Sequence, residues 1–247
     1  MNHGNKQVSR VAFITGAARR IGAAIAVRLH QAGFRVIIHC HHSEEPAQAL
    51  ALQLNHLRAD SALVLVADLS IKSSALALIP CAIEWAGRLD LLVNNASIFR
   101  RDSDNEADWD DLFLTNTKAP YWLSYAAYPH LAAQEGAIIN LTDIHAEKPL
   151  KGYSVYCQSK AALALQTKAL ALAFAPKVRV NAIAPGAIIW PEDNNELEND
   201  RQQKIIQSTP LKRHGDPIFI AEALLTLALN PFITGQILNV DGGRGLV

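Results

Sequence analysis

Short apolar runs rich in β-branched residues alternate with longer helical patterns along this chain. The runs are Val11–Ile14, Arg35–His39, Ala62–Val66, Leu89–Val93, Ala137–Leu141, Val178–Ile183 and Gln236–Val240. Between them, Ile21–Ala32, Pro46–Leu57, Ser73–Trp85, Tyr153–Phe174 and Ile218–Leu229 carry helical character. That alternation predicts βαβ units and a parallel sheet. Continuous apolar strands, as opposed to alternating ones, predict a sheet covered on both faces. No linker rich in Pro, Gly or Ser and no internal repeat divides the 247 residues. The expectation is a single α/β domain over 1–247, doubly wound, with a mostly parallel sheet of roughly seven strands. The polar stretch Pro191–Gln203 breaks the pattern and reads as a mobile loop of the kind that serves as a lid.

Composition narrows the partners. Lys and Arg number 23 and Asp and Glu 23. That balance carries no electrostatic signature of a nucleic-acid or anionic-membrane partner. Met1–Arg10 is short and polar, without the apolar core of a signal peptide. The richest apolar stretch, Ala161–Ala175, is broken by Gln166 and Lys168 and reads as a buried helix, not a membrane span. Cys40, Cys81 and Cys157 lack metal-ligand spacing and suit a reducing cytoplasm.

The run Thr15-Gly16-Ala17-Ala18-Arg19-Arg20-Ile21-Gly22 follows the first strand and opens the first helix. A Gly-rich turn there brings backbone N–H groups and the positive end of the helix to a pyrophosphate. Read without that context, it is only a tight turn. Arg19 and Arg20 add positive charge. The second strand ends in His39-Cys40-His41-His42-Ser43, with no acid before Glu44. An NAD site usually places an acid here for the ribose 2′-OH, so the histidines, Ser43 and the arginines favour a 2′-phosphate, and hence NADPH. A metal site is the competing reading for His39 and His41, and an ordinary loop histidine is a third reading for His39. Asp68, ahead of Leu69 after the third strand, either binds an adenine amino group or caps the next helix.

Tyr156 and Lys160 stand four residues apart, one turn on a helical face, with Asp143 thirteen residues before the tyrosine. An ammonium beside a phenol favours the phenolate, which predicts a lowered Tyr156 pKa and a proton donor or acceptor near working pH. Alone, a Tyr-x-x-x-Lys pair also fits a solvated helix face.

Together with Asn94-Asn95-Ala96, Asn116, Pro185-Gly186 and Asp241-Gly242-Gly243, these residues resemble the short-chain dehydrogenase/reductase family in order and spacing over nearly the whole chain. The resemblance implies a Rossmann fold, a nicotinamide cofactor and often a homotetramer. Three departures are those of the pteridine reductase branch. Arg20 replaces the middle glycine of the first turn, Asp143 replaces a serine, and Ser97 with Phe99 follows the Asn-Asn-Ala motif. Thr15–Arg20, His39–Ser43 and Asn94–Phe99 are also similar to that branch.

The resemblance implies a pterin held between the nicotinamide and Phe99, whose alternative is a core phenylalanine. An ionised Asp143 only accepts hydrogen bonds, so it suits a substrate with N–H donors, or a relay in which it positions Tyr156. Otherwise it caps a helix after the fifth strand, a reading that the thirteen-residue offset from Tyr156 argues against. By resemblance Lys160 holds the nicotinamide ribose, and Asn116 a water-linked proton path near that lysine. Without that role Asn116 is only an unfavourable helix-interior residue. Arg20 contacts the pyrophosphate and reaches the pterin edge; Ser97 touches a cofactor phosphate or the pterin. Gly16, Ile21, Gly22, Leu69, Asn95, Ala96, Pro185 and Gly186 complete the expected cofactor site. Trp190 is either a lid residue flanking the pocket or buried packing. The expected activity is NADPH-dependent reduction of dihydropterins, oxidised pterins or dihydrofolate. The alternatives are a carbonyl reductase of the oxoacyl or sugar-alcohol type, or an idle NADP-binding sensor. The apolar Tyr156 helix leaves one face for a second subunit, consistent with a homotetramer.

Overall fold

The computed structural model describes residues 9–190 and 197–247. Its first half runs β1 (Val11–Ile14), α1 (Arg20–Gln31), β2 (Arg35–Cys40), α2 (Glu44–Leu57), β3 (Ala62–Val66), α3 (Lys72–Ala86) and β4 (Leu91–Asn94). There follow α4 (Glu106–Phe113), α5 (Ala119–Ala132), β5 (Ala137–Leu141), α6 (Ser154–Phe174), β6 (Arg179–Pro185), α7 (Asn199–Ser208), α8 (Pro217–Leu229) and β7 (Ile237–Val240). The strands form one sheet in the order β3-β2-β1-β4-β5-β6-β7. Every pairing is parallel. This is the doubly wound Rossmann arrangement with a seventh strand. Its order reverses between β1 and β4, where a crevice opens at the carboxyl ends of the strands.

Strand side chains alternate between two apolar layers. Ala12, Ile14, Val36 and Ile38 pack with Ile25 and Leu29 of α1 and Ile220 and Leu224 of α8. Val11, Phe13, Ile37 and Ile138 pack on the opposite side with Leu78 of α3, Leu123 of α5 and Leu170 of α6. The central strands are thus covered on both faces. The edges are not: β3 is only partly buried beyond Ala62, and Leu238 of β7 is 40% exposed. At those margins β3 packs chiefly on α2 and β7 on α8, one helix each. Behind the crevice, Asn94 donates to Asn140 at 2.8 Å and Asn140 to Thr167 at 2.9 Å, tying β4 and β5 to α6.

The structure adds elements to those expected and corrects others. The stretch between β4 and β5 is helical through α4, a π-helical turn at Leu114–Lys118, and α5. Pro120 sits in the first turn of α5, directly after the π-helical turn. The polar stretch expected as a loop to Gln203 is α7 from Asn199 onward, with Arg201 and Ile205 one turn apart and facing the crevice. Residues 191–196 of that expected lid lie outside the described residues. β4 begins at Leu91, not Leu89, because Leu89 belongs to the turn entering the strand, where Asp90 Oδ2 and the Asp90 N–H both bond to Val11. Among the described residues no helix is long and apolar enough to cross a membrane.

Candidate active site

The crevice holds a cavity of about 970 Å³. The Gly-rich turn after β1 forms one end. Gly16 has φ +61°, and an added Cβ there would lie 2.9 Å from Ala96 Cα. Asn95 braces the turn, donating to Thr15 O at 2.8 Å and Gly16 O at 2.9 Å. Thr15 Oγ1 in return accepts the N–H groups of Asn95 at 2.9 Å and Ala96 at 3.0 Å. Arg20 occupies a left-handed conformation, φ +58°, at the position of the middle glycine of the general pattern. Its guanidinium donates to the Trp190 carbonyl at 3.1 Å. Arg19, the N-cap of α1, makes no side-chain cap. A helix start of this kind suits an anionic pyrophosphate.

His39 belongs to β2 and is buried, so neither the loop reading nor the metal reading of it holds. Its Nδ1 accepts the Gly16 N–H at 3.2 Å and its Nε2 lies 3.1 Å from Ala67 O. A carbonyl only accepts, so Nε2 carries the proton. Burial pushes its pKa down to about 4, with the Ala67 bond pulling weakly the other way. No group of three metal-ligating side chains gathers among the described residues. Beyond β2, Arg19 donates to Ser43 Oγ at 2.9 Å. His41 and His42 stack with centroids 3.6 Å apart, and both are exposed. Asp68 Oδ1 accepts from Ser70 N at 2.8 Å and Ser70 Oγ at 2.7 Å. It shapes the turn before α3, whose own N-cap is Ile71. Partial burial opposes its ionisation, but the Ser70 bonds and the neighbouring histidines outweigh that, so its pKa is lowered.

At the opposite end, Tyr156 Oη donates to Asp143 Oδ2 at 2.7 Å. Asp143 Oδ1 accepts the His145 N–H at 2.8 Å and so also caps the short 3-10 turn Ile144–Ala146. The capping reading that the sequence offset argued against therefore coexists with the tyrosine contact, one oxygen for each. Lys160 Nζ donates to Leu141 O at 2.8 Å and lies 5.9 Å from the Tyr156 ring centroid. Burial pushes Lys160 down to about 8, against a smaller upward pull from Asp143. The lowered tyrosine pKa expected from the lysine is not found. Burial, and then the Asp143 charge and hydrogen bond, push Tyr156 well above the usual phenol range.

Phe99 stacks on Tyr153 at 4.5 Å, nearly parallel, and meets Tyr156 edge-on at 4.8 Å. Asn116 sits in the π-helical turn with its side chain fully engaged. It donates to Ile98 O and Ser159 Oγ, both at 3.0 Å, and accepts from Ile98 N at 2.8 Å and Ser97 Oγ at 3.1 Å. These bonds pin the segment after β4 to α6. Trp190 is half-buried, tilted against His214 at 4.3 Å between ring centroids.

Every expected site residue except Asn116 lines this cavity: the glycine turn, His41–Ser43, Asp68 and Leu69, Asn95–Ser97, Phe99, Asp143, Tyr156, Lys160, Pro185, Gly186 and Trp190. Gly186 packs tightly, since a Cβ there would lie 2.7 Å from Asp241 Cα. His145, Leu150, Tyr153 and Arg244 also line it and were not anticipated; Arg201, from the stretch expected as a lid, and Ile205 just beyond it line it too. Tyr153, three residues before Tyr156, and Arg201 with Ile205 were detectable from helical spacing; Arg244 was not.

A family model described as enoyl-(acyl carrier protein) reductase matches residues 16–244. A putative ketoacyl reductase of the granaticin polyketide synthase from Streptomyces violaceoruber is 36% identical, covering 96% of each chain. Pteridine reductase 1 of Leishmania tarentolae is 33% identical, again over 96% of each. The crystal structure of FolM alternative dihydrofolate reductase 1 from Brucella canis, complexed with NADP, superposes with a TM-score of 0.87. It is 34% identical over 96% of this chain and 95% of that one. With the family model, these relatives and the fold in agreement, the chain belongs to the short-chain dehydrogenase/reductase family.

Proposed function

We propose that this oxidoreductase is an NADPH-dependent pteridine reductase acting on dihydropterins, oxidised pterins or dihydrofolate. The observation that carries this reading is the 2.7 Å bond from Tyr156 Oη to Asp143 Oδ2. A ketone oxygen needs donors, and a carboxylate supplies none. A pterin presents ring and amino N–H groups that a carboxylate accepts. Its reduction adds a hydride to a ring carbon and a proton to the neighbouring nitrogen. Bound NADPH supplies the hydride. The Gly16 turn, the start of α1, Arg19 and Ser43 would hold its phosphates, and Lys160 its nicotinamide ribose.

In this reading Asp143 accepts a substrate N–H and orients the Tyr156 hydroxyl, whose raised pKa keeps it protonated until transfer. Phe99, backed by Tyr153, is the flat wall for the ring. The NADP-bound FolM structure and the Leishmania pteridine reductase support this reading. The polyketide relative keeps a ketone reductase as the rival. A homotetramer built through α5 and α6 is part of the proposal.

The test is NADPH consumption with dihydrobiopterin, dihydromonapterin, dihydrofolate, folate and a 3-ketoacyl thioester side by side. Pterin or folate turnover is expected, lowered about 100-fold or more in Tyr156→Phe with NADPH binding retained. Turnover of the thioester alone would select the rival, and full activity in Tyr156→Phe would remove the proton role.

A further inference from the structure

His145 sits on the 3-10 turn that Asp143 caps and lines the cavity at the same end. The turn is fixed on several sides. Ile144 is buried and anchors it, and the Ile144 carbonyl accepts the Lys148 N–H at 3.0 Å. Lys148 Nζ donates to the Arg244 carbonyl at 3.1 Å, tying the segment to the C-terminal turn. Against that backbone the half-buried imidazole is held by one nitrogen: His145 Nδ1 lies 2.8 Å from Lys148 O. A carbonyl only accepts, so Nδ1 carries the proton, and in the neutral ring Nε2 is left with a lone pair. Among the described residues no group bonds to Nε2, and it is not a sealed core atom, unlike Nε2 of His214. An imidazole locked to the main chain through one nitrogen presents the other at a fixed angle, ready to accept from a ligand or to bind a metal. The metal reading lacks its other ligands among the described residues.

We infer that His145 is a substrate contact: its Nε2 accepts the second N–H of the aminopyrimidine edge whose first N–H goes to Asp143. This rests on reading the cavity as a pterin site. A pterin carries its amino group beside a ring N–H, which puts two donors on one edge. Both Asp143 oxygens already accept one bond each, from Tyr156 Oη at 2.7 Å and from the His145 N–H at 2.8 Å. That second bond keeps the imidazole and the carboxylate on one short turn. A second acceptor there lets the donor edge be matched without displacing either bond. The flat wall of Phe99 and Tyr153 sets the plane of the ring but not its rotation within that plane. Two acceptors on the edge set the rotation, and with it the ring carbon that faces the hydride. The Nε2 lone pair also repels a carbonyl oxygen placed on that edge, so the same atom discriminates against substrates without the second donor.

The experiment compares wild type, His145→Asn and His145→Gln. Asparagine puts an amide where Nδ1 stands and can keep the Lys148 bond, but it has nothing at the place of Nε2. Glutamine reaches that place with an amide oxygen. The Asn variant is expected to lose about 5-fold or more in kcat/KM for dihydrobiopterin, with NADPH affinity by fluorescence kept within about 2-fold. Gln should recover most of the loss. An Asn variant as active as wild type overturns the inference, and so does an equal loss toward NADPH, which makes the ring merely structural. A second readout needs no turnover: the nitrogen-15 signals of the His145 ring, identified by their loss in His145→Asn. At mildly alkaline pH, where an imidazole is neutral, Nδ1 should carry the proton, and dihydrobiopterin added to the NADP-loaded protein should move the Nε2 signal. A proton on Nε2 in the free protein, or an Nε2 signal indifferent to bound pterin, overturns the inference. Wild type that reduces only the thioester and binds no pterin removes the functional reading and the contact together. Wild type that reduces pterins beside an unchanged Asn variant removes the contact alone.

Discussion

The imidazole of His39 takes the Gly16 N–H on one nitrogen and gives its own proton to Ala67 on the other, an arrangement that exists only while the ring is neutral. Its pKa falls from 6.5 to about 4 on folding. Between those values the unfolded chain binds more protons, so stability rises with pH through that window and is lost on acidification. At pH 4 and below, the loss approaches about 3 kcal/mol from this one residue. Urea denaturation at neutral and at acid pH should show a steeper loss for wild type than for His39→Asn. Parallel behaviour of the two proteins would exclude the assignment. Nothing in the sequence distinguishes a brace of this kind from a loop histidine, because the difference lies in what surrounds the ring. Tyr156, Lys160 and Asp143 were legible because their chemistry depends on spacing along the chain. Asn116 was legible as a position, but its role as a staple appears only once Ile98 and Ser159 are beside it.

Helix α6 carries Tyr156 and Lys160, yet the residue that caps it comes from another segment. Asp102 Oδ1 accepts the Val155 N–H at 3.2 Å, Ser154 also bonds to this carboxylate, and Asp102 N donates to Gly152 O at 2.9 Å. Those bonds, the Ser154 N–H first, hold its pKa below the usual carboxylate range. Arg101 stands over the Tyr153 ring at 5.6 Å, so the segment bearing Phe99 is fastened along the start of the helix. Asp102→Ala should destabilise the protein by about 1 kcal/mol, as loss of a helix cap does. It should also raise pterin KM while leaving NADPH affinity alone, with Asp102→Asn recovering most of both. Denaturation and steady-state kinetics on the three proteins check this; equal losses toward cofactor and pterin would make the cap merely structural. The strands were legible because buried parallel strands are continuous apolar runs. The α4–α5 stretch was not, because Pro120, Pro129 and the π-helical turn disturb its periodicity. Nor was α7, a helix with no fully buried residue.

At the scale of the whole molecule, α5 and α6 both carry exposed apolar side chains. Tyr121 and Tyr125 are nearly half exposed, while Leu165 is 69% and Leu172 84% exposed. The proposed subunit contact through these helices would cover that surface. Analytical ultracentrifugation should find a tetramer for wild type and smaller species for a Leu165→Glu, Leu172→Glu protein. A monomeric wild type would end the idea. The parallel, doubly wound sheet was readable from βαβ alternation, whereas assembly depends on a surface that periodicity marks as apolar without naming its partner. One stretch also joins the two ends of the cavity. From Asn95 to Asp102 the chain braces the glycine turn through the Asn95 amide, exchanges bonds with Asn116 at Ile98, presents Phe99 and caps α6 through the Asp102 carboxylate. In the proposed function, cofactor and substrate thus share a common rail. Thermodynamic linkage makes any tightening that one ligand exerts on the other through this rail mutual and equal in size.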